Sequence, residues 1–146
     1  MKYFFYSKLR KIAADLRIPT GFYMGPKTYY KSVLDGLKVY LIDGAIFRDK
    51  ADTDFALGGH YYAYPGIIPE DEIWLEDIMT SDDERDFILI HEVVEHILMK
   101  YYAHTYESAH AVANKVEHVE RNIPTPHSLE EIVGALYRKL GPTSLL

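Results

Sequence analysis

The chain of 146 residues has no cysteine. That removes disulfides, thiolate metal ligands and a thiol nucleophile together, so any metal must be held by histidine and carboxylate. A basic excess is missing as well: the formal net charge is -6. Without surplus cations to neutralise phosphates, no nucleic-acid partner is expected. No apolar run approaches the roughly 20 residues of a membrane-spanning helix, and the first residues lack the apolar stretch and cleavage site of a signal peptide. No membrane span and a cytoplasmic location are the expectations. Glycine-rich phosphate loops, nucleophile elbows, internal repeats and interdomain linkers are not found either.

What is present suits one soluble domain over residues 1–146. Hydrophobic residues make up 48% and charged residues 26%, ordinary proportions for a globular chain of this length. The 13 tyrosines are unusual; bulk with a polar tip suits core edges and interfaces. Lys2, Lys8, Arg10, Lys11 and Arg17 make the amino-terminal stretch basic, with Phe5, Leu9, Ile12 and Leu16 at helical spacing. This reads as an amphipathic helix docked on the core, with a membrane or nucleic-acid contact as the alternative.

Pro19, Gly21, Gly25 and Pro26 mark a loop that either extends toward Lys31 or contains a short helical turn. Leu37 to Arg48 reads as two strands joined by a hairpin at Asp43-Gly44. Phe55 to Tyr64 reads as a strand interrupted at Gly58-Gly59, and Glu72 to Glu76 alternates polar and apolar like a half-buried strand. The pattern then turns helical. Ser81 with Glu84 predicts a capping box for a helix running to about Tyr101. Thr105 predicts the cap of a second helix ending near Asn122, and Ser128 with Glu131 that of a third, closed by Gly141-Pro142. The expected fold is α+β: a small antiparallel sheet over about residues 37–76, packed on three carboxy-terminal helices, plus the amino-terminal helix.

The chemistry concentrates in His91-Glu92-Val93-Val94-Glu95-His96, set inside an otherwise apolar run from Phe87 to Met99. Charges in such a run lie partly within a core, where paired or metal-bound groups are tolerated and bare ones are costly. On a helix, His91 and Glu95 share one side, as do Glu92 and His96. In the next helix Tyr106, His110, Ala113 and Glu117 share a face, and small Ala109 and Ala113 permit close approach. His91, Glu95 and His110 are therefore the candidate metal ligands, with water in an open fourth position as in a catalytic zinc site. Glu92 is the candidate general base toward that water. Glu117 is expected to orient His110 or to substitute as a ligand. Zn2+ is the expected cofactor, and other divalent transition metals suit the same donors. The competing reading is a metal-free network of His and Glu pairs. His60, beside two glycines, is either a ligand from the strand or a packing residue, while His104, His118 and His127 read as surface residues.

The order Gly58-Gly59-His60, Glu72-Ile73-Trp74, His91-Glu92-x-x-Glu95, Met99, Tyr106-x-x-Ala109-His110-x-x-Ala113 and Glu117 resembles small phage and prokaryotic proteins that look like minimal zincin metallopeptidases. The resemblance covers about residues 55–121, and a carboxylate, Glu95, stands where the zincin motif His-Glu-x-x-His has its second histidine. It implies a sheet packed on the ligand-bearing helix, with His91, Glu92, Glu95, His110 and Glu117 as the motif positions and His96 incidental. It also implies a zinc-dependent hydrolase acting on a peptide or protein substrate, in the host cytoplasm if the chain is of phage origin. The alternative function is a non-catalytic viral or prokaryotic interaction protein with a structural metal or none.

Overall fold

The computed structural model describes residues 23–78 and 81–142. The expected amino-terminal helix lies outside the described residues. The elements are β1 (Lys27–Ser32), a single 3-10 turn (Leu34–Gly36), β2 (Lys38–Ile42), α1 (Gly44–Lys50), β3 (Gly58–His60), β4 (Glu72–Glu76), α2 (Asp82–Tyr101), α3 (Tyr106–Arg121) and α4 (Leu129–Leu140).

The sheet has the order β1-β2-β4-β3 and is mixed. β1 runs antiparallel to β2, β2 parallel to β4, and β3 antiparallel to β4. This corrects the expected antiparallel sheet, and two local causes account for it. The chain holds a second Asp-Gly, Asp35-Gly36, and the hairpin forms there, with both residues left-handed at φ 61° and 70°. The supposed loop after Pro26 is thus the first hairpin strand. Asp43 is an N-cap instead: its Oδ1 accepts from Ala45 N at 2.9 Å and Ile46 N at 3.1 Å, starting α1. Helix α1 and β3 then fill the crossover that a parallel β2–β4 pair requires.

Both faces of the central strands are covered. Leu37, Val39, Ile73 and Leu75 meet Ile88, Leu89, Val93 and Ile97 of α2. On the other face Ile42 and Trp74 meet Phe47, Phe55, Tyr64 and Ile68. Consequently β4, expected to be half-buried, is buried from Ile73 through Glu76, as parallel strands commonly are. Each large apolar side chain so enclosed contributes about 1.5–3 kcal/mol.

The three helices begin where expected, by two different devices. Ser128 and Glu131 form a full capping box. Ser81 Oγ accepts from Glu84 N at 3.1 Å, but the Glu84 carboxylate turns away to take Arg121 Nη1 and Nη2, each at 2.7 Å. Behind α2, fully buried Ala109 and Ala113 let α3 lie against Ile90, Val94 and Leu98. None of the described helices is long and apolar enough to cross a membrane.

Candidate metal centre

Helix α2 is enclosed along its middle, with every residue from Ile88 to Leu98 buried. Its ionisable groups must therefore find partners in the neighbouring elements. Across the seam with α3, three donor atoms converge. His91 Nε2 lies 3.1 Å from Glu95 Oε2 and 3.2 Å from His110 Nδ1, and His110 Nδ1 lies 2.9 Å from the same Glu95 oxygen. The i,i+4 spacing sets the first contact, and the two small alanines of α3 permit the others. The Tyr106 ring stacks on His110 at 5.3 Å between centroids, and its hydroxyl is 3.4 Å from Nδ1.

The chemistry of this donor set fits a cation. Two imidazole nitrogens facing each other at 3.2 Å repel if both carry protons. Ligands about 2 Å from a tetrahedral ion stand about 3.3 Å apart, close to the observed edges. His91, Glu95 and His110 can thus hold a metal; its identity is open to several divalent ions. A pocket of about 280 Å³ opens onto the group, lined by Gly58, Glu92, Tyr106 and Glu117 among others.

Glu117 stands behind His91. Its Oε1 lies 3.0 Å from His91 Nδ1, off the line of a straight hydrogen bond. Its Oε2 accepts from Arg121 Nε at 2.8 Å. Arg121 in turn grips Glu84, so a chain of charges ties His91 to the first turn of α2. A carboxylate behind an imidazole is how metal-bound histidines are commonly oriented.

Strand β3, at the edge of the described sheet, crosses the other side of Glu95. His60, fully buried, places Nε2 2.8 Å from Glu95 Oε1, while its Nδ1 accepts from Tyr62 N at 3.2 Å. The strand comes this close because of Gly58, where a Cβ would stand 2.9 Å from Glu92 Cγ. The sequence signal for this approach is the Gly58-Gly59 pair, which permits backbone to pass against a helix. His60, Glu92 and Glu95 form a second convergent group.

The protonation states follow from this arrangement. Burial pushes the Glu92 carboxyl up to about 7, helped by the charge of Glu95. Burial acts the same way on Glu95, but hydrogen bonds with His110, His60 and His91 outweigh it and hold the group well below the ordinary range. At His91 burial is outweighed by the Glu117 and Glu95 carboxylates, so its value rises to about 10. Among the described residues no hydrogen bond or ion pair reaches the Glu92 carboxylate, although Glu92 is only 5% exposed.

His96 lies apart from the donor triangle and does not pair with Glu92. It is fully buried, edge-on to His60 at 5.5 Å and to Tyr62 at 5.2 Å, and burial pushes it down to about 3. His118 and His127 are exposed as expected, whereas His104 is half-buried, with Nδ1 2.8 Å from Ser108 Oγ. No protein-family model, curated protein or solved structure matches the chain.

Proposed function

We propose that the chain is a metal-dependent hydrolase of zincin type, with Zn2+ as the metal and an extended peptide as the substrate. The observation that carries this reading is the triangle of His91 Nε2, Glu95 Oε2 and His110 Nδ1, whose edges of 2.9–3.2 Å face a pocket. Two imidazoles and one carboxylate are a donor set that zinc peptidases use. When bound, the ion would supply an acidified water and polarise a carbonyl.

The chain's own residues divide the remaining work. Glu92 lies one residue from His91 on the pocket wall, with a carboxylate that no described side chain occupies, and is suited to accept a proton there. Gly58 and Gly59 of β3 pair with β4 on one side, and among the described residues β3 is the last strand of the sheet. An extended substrate added at that edge would pass beside Glu92.

Zinc-loaded protein, offered a mixture of unstructured peptides, is expected to cleave them. Chelator should abolish the cleavage and zinc restore it. Zinc bound at one ion per chain with no cleavage of any peptide would instead favour a metal that pins α2 to α3 in a binding protein.

A further inference from the structure

We propose that His60 is a positioning residue: it donates from Nε2 to Glu95 Oε1 and so leaves Oε2 as the single oxygen that Glu95 offers the metal beside His91 and His110. The inference rests on the metal reading of that triangle and adds the device that orients its carboxylate.

The tautomer of His60 decides its role. A neutral imidazole has one donor and one acceptor nitrogen. Tyr62 N donates to His60 Nδ1 at 3.2 Å, so Nδ1 carries the lone pair and Nε2 the proton. That proton points at Glu95 Oε1, 2.8 Å away. The ring has little freedom to turn, since it is fully buried and held edge-on by His96 at an interplanar angle of 87°.

The same tautomer separates the two convergent groups around Glu95. The atoms of His60, Glu92 and Glu95 lie within 4.8 Å of one another, like those of a second metal site. To ligate there, His60 would have to move its proton to Nδ1, where it would confront the Tyr62 N–H. The hydrogen bond would be lost and replaced by a repulsion, with a half-buried backbone donor left unpaired. One ion per chain follows, on the Oε2 side.

Glu95 is thus held from behind by one histidine and faces two others. A carboxylate free to rotate could offer both oxygens to an ion and close the position that opens to the pocket. With Oε1 engaged, that position stays available.

The test uses the full chain. In zinc-loaded wild-type protein, nitrogen-15 shifts of the His60 ring should show Nε2–H, and metal analysis should give one ion per chain. His60→Leu should weaken zinc binding by about 10- to 100-fold in competition with a chelator. It should also change the visible absorption of the Co2+-substituted protein, which reports the ligand field. His60→Gln, whose amide can donate to the same oxygen, should recover most of the affinity and the wild-type spectrum. A His60 with Nδ1–H, two ions per chain, or unchanged affinity and spectrum in His60→Leu would overturn the proposal while leaving the triangle intact. If His60→Leu fails to fold, the ring measurement and the ion count on wild type decide alone. Absence of zinc from wild-type protein would sink the metal reading itself and this proposal with it.

Discussion

Glu76 and Glu95 are both buried carboxylates, and their surroundings satisfy them by different means. At the corner of α1 and β4, Glu76 is 2% exposed; its Oε1 accepts from Gly44 N at 3.0 Å and its Oε2 lies 3.4 Å from Arg48 Nη1. A backbone N–H and a guanidinium keep their protons at any physiological pH, so that carboxylate is permanently compensated. At the seam of α2 and α3, Glu95 is equally buried but its described hydrogen-bond partners are imidazoles. Imidazole nitrogens exchange a proton for a metal ion readily. The first arrangement holds a fold together; the second can hold something else. The neighbouring Glu92, buried without a described partner, belongs to the second kind.

The comparison can be broken at either end. The largest effect belongs to Glu92→Gln, which removes the proton acceptor and should lower peptide turnover by about 10²- to 10⁴-fold. Zinc content should stay at the wild-type value; a parallel loss of zinc would make Glu92 a ligand. At the other corner, Gly44→Ala sets a methyl group against the Glu76 carboxylate. Chemical denaturation should show a loss of about 1–3 kcal/mol, as for other overpacked sites, with zinc affinity unchanged. If zinc affinity fell as well, the two regions would not be independent.

A smaller effect lies on the chain of charges behind His91. Arg121 holds the Glu84 carboxyl below its ordinary value of 4.5. A carboxyl depressed in the folded state stabilises the fold above its ordinary value, and that contribution is lost as pH falls through the folded value. Wild type should therefore lose stability below about pH 4.5 relative to Arg121→Ala, whose curve should be flatter there. At neutral pH the difference should be roughly 1 kcal/mol or less, because Glu84 and Arg121 are each about a third exposed.

How much of this was legible in the sequence depends on the range of the interactions involved. Ser81, Thr105 and Ser128 announce their helices because a cap reads only its own next turn. The Asp-Gly signal is equally local, yet it occurs twice. Asp43 and Asp35 look alike until Phe47 is seen to bury itself against Phe55, which makes helix α1 the better continuation after Asp43. Parallel pairing of β2 with β4 joins strands 34 positions apart (Lys38 with Glu72) and leaves no mark in the alternation of either.

In the site, 3.6-residue periodicity was enough to bring His91, Glu95 and His110 together. It could not show how far α3 is rotated about its axis, and so did not indicate that Glu117 comes within 3.0 Å of His91 Nδ1. His60 reaches Glu95 from 35 positions away, a contact that no spacing rule covers. The glycines before it were the available clue.

The proposed metal is shared by α2 and α3 through His91, Glu95 and His110. That sharing is tested most directly by the metal content of wild type against His110→Ala, both purified without added metal and matched for folded content by circular dichroism. About one zinc per chain is expected in wild type and little or none in the variant. No metal in wild type, or equal metal in both, would contradict it.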